Sequence, residues 1–349
     1  MKKEQQIASE ENISKIKRLR EKPLSAENLV EGITKGDKTA LARAITLVES
    51  SVDEHLEKAE KILEKCLAVK SKSVRIGITG VPGVGKSTFI EVFGKMLTDQ
   101  GKKVAVLAVD PSSSLSKGSI LGDKTRMQSL ARDENAFIRP SPAGDSLGGV
   151  AQKTKEAMVL CEAAGYDIIL VETVGVGQSE TAVHAMVDFF LLLKLAGSGD
   201  ELQGIKRGII EMADAIVINK ADAENEKQAK WAKAEFTRAL HLYPPKKNGW
   251  TPKVLTCSAL NKIGIDDIWQ LIGDFVKLTK ENDSFAKKRS EQNKNWFLQG
   301  VNERLKRSFY SNKSSKRLLK KYLVLVENGE MAPSHAIRKL FFEYEKAVK

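Results

Sequence analysis

One octapeptide constrains the fold of this chain more than any other feature. Gly80-Val81-Pro82-Gly83-Val84-Gly85-Lys86-Ser87 satisfies the pattern G-x-x-x-x-G-K-[ST] at every position. It follows Val74-Arg75-Ile76-Gly77-Ile78-Thr79, a β-branched run that reads as a strand, and it precedes a helical pattern over Thr88–Thr98. A phosphate cradle requires that order. Its glycines admit positive φ, so that successive N–H groups face phosphate oxygens, and the helix adds its positive end. The expected cradle runs from Gly80 to Thr88, with Lys86 bridging β- and γ-phosphates and the Ser87 hydroxyl on Mg²⁺. A loop of the ATP-driven partitioning type would carry a second lysine near its start; Val81 stands there instead.

Further strand patterns follow at βαβ intervals: Lys103–Val109, Ala136–Arg139, Asp167–Val171, Phe189–Leu193, Ala215–Ile218 and Lys253–Thr256. Helical patterns over Thr88–Thr98, Gly149–Ala164 and Lys227–His241 separate most of them. The alternation predicts an α/β fold: a mostly parallel P-loop sheet flanked by helices, with its ligand at the carboxyl ends of the strands. Helical extensions are expected at both ends. Residues 1–70 read as an N-terminal helical segment, with Ser25 and Asp37 as caps and apolar residues at helical intervals from Ala40 to Leu67. The sheet domain is expected over 71–281. A C-terminal helical segment is expected over 282–349, from Ser284–Tyr310, Ser314–Glu327 and Pro333–Ala347.

Asn219-Lys220-Ala221-Asp222 follows one of these strands and fits N-K-x-D. The Asp222 carboxylate accepts two parallel hydrogen bonds from guanine N1–H and the 2-amino group, whereas adenine leaves it unpaired. The Lys220 stem lies along the purine face in this reading. Ser258-Ala259-Leu260, after another strand, is placed to offer backbone N–H to the guanine oxygen. The pattern therefore predicts GTP/GDP rather than ATP.

The strand Asp167–Val171 leads into Glu172-Thr173-Val174-Gly175. Ras-like GTPases place Asp-x-x-Gly here, which makes Glu172 the Mg²⁺-side acid and the Gly175 N–H the γ-phosphate sensor. Val176 stands where a water-orienting glutamine is usual, and Gln178 comes two residues later, so slow intrinsic hydrolysis is expected. Asp110 and Asp123 lie in the long loop after Lys103–Val109. The residues alone leave two readings for these two, Mg²⁺-linked acids or solvated loop acids.

Other classes are disfavoured by what is missing. No apolar run approaches the ~18 residues of a membrane span, and the polar start Met1-Lys2-Lys3-Glu4 is no secretory signal. Cys66, Cys161 and Cys257 are too few and too scattered for disulfides or zinc, which suits a cytoplasmic protein. The net charge of +12 raises nucleic acid as a partner. The late basic runs Lys287-Lys288-Arg289, Lys316-Arg317 and Lys320-Lys321 alternate with apolar residues at helical spacing, which favours a solvated helix face; an acidic protein partner also fits them.

Gly80–Thr88, Ala108-Val109-Asp110-Pro111-Ser112-Ser113, Gly122–Met127, Arg139-Pro140-Ser141-Pro142, Gly165–Gln178 and Gly199–Asp214 together resemble the MeaB/ArgK family. These are GTPase chaperones of adenosylcobalamin-dependent methylmalonyl-CoA mutase. The resemblance covers roughly residues 40–300, with Glu-Thr-Val-Gly-Val-Gly-Gln-Ser-Glu and Gly-Asp-Glu-Leu-Gln-Gly-Ile-Lys as its most specific strings. It implies that Asp110, Asp123 and Glu172 are the Mg²⁺-linked acids and that Thr173–Glu180 is a switch. It also implies that Ala196–Arg207 is a partner-facing switch and that the C-terminal helices form a homodimer. Lys206 or Arg126 would then carry positive charge to the γ-phosphate. The expected partner is an adenosylcobalamin-dependent acyl-CoA mutase, with neither nucleic acid nor membrane. Two other classes compete: a nickel-type metal-loading GTPase, opposed by the lack of Cys/His clusters, and an ATPase or kinase driving amino-acid transport, opposed by Asn219–Asp222.

Overall fold

The computed structural model describes residues 25–50, 52–109, 127–140, 147–173, 179–196, 207–222 and 225–348. Seven strands form one sheet: β1 (Val74–Gly80), β2 (Val104–Val109), β3 (Ala136–Arg139), β4 (Ile168–Thr173), β5 (Phe189–Leu195), β6 (Ala215–Asn219) and β7 (Lys253–Thr256). Their order is β3-β2-β4-β1-β5-β6-β7, and every neighbouring pair is parallel. The α/β expectation therefore holds. A parallel sheet is covered on both faces, and the inner strands β2, β4 and β6 accordingly have no exposed position.

Helices precede, separate and follow these strands: α1 (Ala26–Thr34), α2 (Lys38–Glu49), α3 (Asp53–Leu67), α4 (Lys86–Asp99), α5 (Gln128–Ala131), α6 (Leu147–Ala163), α7 (Ser179–His184), α8 (Arg207–Met212), α9 (Glu226–Leu240), α10 (Ile265–Glu281), α11 (Ser284–Ser311), α12 (Lys313–Glu327) and α13 (Pro333–Val348). One face of the sheet meets α4 and α10. There Ile76, Ile78, Phe189, Leu191 and Leu193 pack with Phe89 and Phe93 of α4 and with Ile268 and Phe275 of α10. Phe89 and Phe93 stack at 5.4 Å, and Trp269 of α10 lies edge-on to Phe93 at 6.2 Å. On the other face Leu192, Ile216 and Ile218 pack with Ala229 and Phe236 of α9. Successive residues of β5 and β6 thus serve opposite faces, as a pleated strand dictates.

The N-terminal caps fall where the sequence puts them. Ser25 Oγ accepts from Asn28 N at 3.1 Å, and Asp37 Oδ1 accepts from Thr39 N at 2.7 Å. The apolar pattern from Ala40 to Leu67 is not one helix, however. Ser50 is extended (ψ 152°) and ends α2; its hydroxyl bonds Val52 N and the His55 ring, which starts α3 in a new direction. Glu49, the last residue of α2, is ion-paired with Arg139 at the end of β3. The strand Asp167–Val171 also extends further than its apolar run, because Ala108↔Glu172 and Val109↔Thr173 continue the β2 ladder.

The chain divides into two compact units, 1–288 and 289–349. The division falls inside α11, a few residues past the expected start of the C-terminal segment at 282. The first turn of that helix is held by the sheet domain: Lys288 Nζ donates to Asp188 O at 2.8 Å. The second unit has its own small core, Leu318, Tyr322, Ala336 and Leu340.

At the amino end of β1, Arg75 and Glu162 of α6 form a two-pronged pair, 2.9 and 2.7 Å, at side-chain exposures of 13% and 12%. Ser73 Oγ donates to the same carboxylate at 2.6 Å. Removing one partner strands a largely buried charge, which costs about 3 kcal/mol or more. Arg75→Met is expected to destabilise the protein by about that amount, read as a lower urea midpoint, while the charge-free pair Arg75→Met/Glu162→Leu recovers most of it.

Candidate functional site

β1 runs up the middle of the sheet and delivers the chain to Gly80, between Leu193 of β5 and the turn that follows. Gly80 has φ +154°, and a Cβ there would stand 2.5 Å from Leu193 O, so the position excludes a side chain. Gly85, the N-cap of α4, has φ +93°, and Asn219 Nδ2 occupies the space a Cβ would need, 2.9 Å from where that atom would stand. Lys86 Nζ folds back onto the loop, donating to Gly80 O at 2.8 Å and Val81 O at 3.3 Å. Its burial lowers the lysine pKa, and the carboxylates of Glu172 and Glu180 oppose that shift.

Ser87 opens α4 next to Lys86. Its hydroxyl donates to Glu172 Oε1 at 3.3 Å. Glu172 is buried inside β4, flanked by Ile78 of β1 and Ala108 of β2, and Thr173 beside it donates to Thr79 Oγ1 at 2.9 Å. A hydroxyl and a carboxylate so placed form an all-oxygen donor set that suits a hard divalent cation such as Mg²⁺.

Asn219 is the last residue of β6 and is buried. Its Nδ2 donates to Val84 O of the phosphate loop at 2.8 Å, and its Oδ1 accepts from Ala259 N at 3.2 Å and Cys257 Sγ at 3.3 Å. Lys220 takes a left-handed conformation (φ 59°), from which Nζ reaches Gly83 O at 3.0 Å. Asp222 is half-buried and accepts a hydrogen bond from Ser258 Oγ, which fixes the carboxylate. Ser258 Oγ in turn accepts from Asn261 N at 3.1 Å.

Of the three expected base-facing amides, Ser258 N donates to Ile263 O at 3.0 Å and Ala259 N to Asn219. A guanine oxygen would share the Ala259 N–H or take that of Leu260, whose side chain is exposed. Gly80–Thr88, Glu172, Asn219, Lys220, Asp222 and Ser258–Leu260 thus gather at the carboxyl edge of the sheet. Asp110, Asp123, Arg126, Gly175, Gln178 and Lys206 lie outside the described residues. Sequence reasoning gives Glu180 no part of its own. Its one signal is its place at the end of the Glu172–Glu180 string, and its field at Lys86 becomes visible only in three dimensions.

The family model described as methylmalonyl Co-A mutase-associated GTPase MeaB matches residues 41–314. The chain belongs to the MeaB family. GTPase ArgK of Escherichia coli (strain K12) is 46% identical to it over 311 residues, which is 89% of this chain and 94% of that protein. The mouse protein named methylmalonic aciduria type A homolog, mitochondrial, is 47% identical over 320 residues, 89% of this chain and 77% of its own length. The crystal structure of a protein named LAO/AO transport system kinase superposes with a TM-score of 0.73 at 39% identity, covering 92% of this chain and 97% of that one. This MeaB-family member is accordingly a P-loop GTPase that binds guanine nucleotide.

Asn219 is bonded on both sides, so its loss exposes Val84 O and Ala259 N–H together. Asn219→Ala is expected to lower stability by about 2 kcal/mol and to weaken GDP at least tenfold, measured by thermal melting and calorimetric titration.

Proposed function

We propose that this GTPase is a chaperone of an adenosylcobalamin-dependent acyl-CoA mutase, methylmalonyl-CoA mutase first of all, and that it gates cofactor loading and protects the mutase. The observation that carries this reading is the match of residues 41–314 to a family described by its association with that mutase. The mouse relative, named for methylmalonic aciduria, supports the same choice of partner. The protein works as a cytoplasmic homodimer in this reading, joined through its C-terminal helices.

The site divides the work among its own residues. The amides of Gly80–Ser87 and the Lys86 ammonium bind the phosphates, and Asp222, oriented by Ser258, selects guanine. Ser87, Glu172, Asp110 and Asp123 hold Mg²⁺, directly or through water. When bound, that ion neutralises charge on the β- and γ-phosphates. Gly175 senses the γ-phosphate, and Gln178, Lys206 and Arg126 complete the site when the partner engages the 196–207 segment. Val176 offers the attacking water no hydrogen bond, so the chain alone turns over slowly.

A second reading draws on the solved relative, which is named a transport-system kinase. It requires ATP, against which the Asp222 carboxylate discriminates. Calorimetric titration decides between the two readings: GTP binds far more tightly than ATP, and Asp222→Asn exchanges that preference for xanthosine triphosphate. Equal binding of ATP by the wild type would reject the guanine assignment.

Gating is tested by single-turnover hydrolysis with and without methylmalonyl-CoA mutase. The mutase is expected to raise the rate at least tenfold, which corresponds to about 1.4 kcal/mol of transition-state stabilisation. A rate indifferent to the mutase rejects the gating role. A Lys206→Ala protein stimulated as strongly as wild type removes that residue alone.

A further inference from the structure

The second compact unit carries a concentration of positive charge that GTP hydrolysis does not use. From Arg304 to Val326 the chain has eight Lys and Arg and no Asp or Glu. Within α12, Ser315, Leu318 and Tyr322 are buried, and the opposite side presents Lys313, Lys316, Arg317 and Lys320 at three- and four-residue spacing, all exposed. Lys321, on the flank, is ion-paired with Glu343 of α13 at 3.1 Å. The four crest residues make no ion pair among the described residues.

Local physics opposes this arrangement twice. Like charges at i,i+3 and i,i+4 repel across a helix turn. Cations in the first turns also face the positive end of the helix dipole, where acids are favoured. The helix thus keeps an uncompensated cationic ridge about 10 Å long, at about 1.5 Å per residue, where neutral or acidic residues would stabilise it. A surface held against its own local preferences is the signature of a binding requirement.

We propose that this crest of α12 is a docking surface for a carboxylate-rich face of a partner protein. A second copy of the chain does not fit, since crest against crest sets like charge on like charge. A bilayer does not fit either, because the apolar side of α12 is already packed on Ala336 and Leu340 of α13. Nucleic acid fits less well than protein. The crest holds three lysines and one arginine with no aromatic, and exposed Leu323 and Val324 flank its carboxyl end, offering apolar contact that a phosphate backbone does not use. The family match ends at residue 314, so all of the crest except Lys313 lies beyond the part that this chain shares with the family model. Such a surface steers encounter and sets partner choice more than it sets final affinity.

The test compares full-length wild type with Lys313→Glu/Lys316→Glu/Arg317→Glu/Lys320→Glu. The variant keeps wild-type basal GTP hydrolysis and melts no lower, since acids at a helix start are favoured. The first probe is methylmalonyl-CoA mutase, and this arm rests on the proposed function. Stopped-flow association is expected to slow at least tenfold in the variant at low salt and to lose most of its salt dependence. Association as fast as wild type overturns the inference and leaves the chaperone reading standing. A mutase that binds neither protein sinks the chaperone reading, and poly-L-glutamate at about 150 mM salt then decides: crest-dependent binding supports the docking surface, and binding that is absent or equal in both proteins overturns it. Duplex DNA bound through the crest more tightly than either acidic probe at that salt assigns the surface to nucleic acid and overturns the protein reading.

Discussion

The hydrogen bond from Asn219 Nδ2 to Val84 O joins two segments separated by more than a hundred residues, and the candidate nucleotide site is organised around it. On one side it holds the phosphate loop in the shape its glycines permit. On the other the same side-chain amide takes Ala259 N–H and the Cys257 thiol, which sets the loop that carries Ser258. Lys220 repeats the tie one residue later, from a left-handed backbone that points its stem at Gly83 O. The candidate phosphate loop and the Asn219–Asp222 and Ser258–Leu260 loops are therefore tied together by side-chain hydrogen bonds rather than merely facing the same cleft.

The sheet makes that bond possible. Parallel order puts the carboxyl ends of all seven strands on one edge, and β1, β5 and β6 are adjacent, so Gly80 and Asn219 emerge close together. Glu172 comes from the other neighbour of β1, and its place inside β4 fixes it between β1 and β2. Burial of Lys86 weakens its hold on a proton, and the fields of Glu172 and Glu180 offset only part of that loss. Cys257 lies under the base loop with its thiol pushed up to about 12 by burial and by Asp222, which leaves it a packing and hydrogen-bonding group rather than a nucleophile.

Most of this architecture is legible in the chain because its signals are local. A Gly-rich turn between a β-branched strand and an amphipathic helix has one common solution, and each βα repeat announces itself by a change of period. The less legible parts are those set by tertiary contact. In the run from Ala40 to Leu67 only the cap-type residues Ser50, Ser51 and Asp53 hint at a break, and the apolar spacing alone passes over it; the turn is fixed by the Ser50 hydroxyl and by Glu49 reaching Arg139. The carboxyl end of β4 escapes a reading by hydrophobicity because Glu172 is polar; pairing with Ala108 keeps it in the strand. Glu180 escapes as well, because its effect on Lys86 depends on where α7 lands, which no periodicity encodes.

Trp269 gives the fold a property of another kind. Its ring is half-buried and sits edge-on to Phe93, which α4 carries less than two turns beyond Ser87. The helix that begins with Lys86 thus touches an indole at its midpoint. Any tilt of α4 would move Phe93 against that indole and so change its emission. The protein carries a native optical gauge on its phosphate-loop helix, readable without a label.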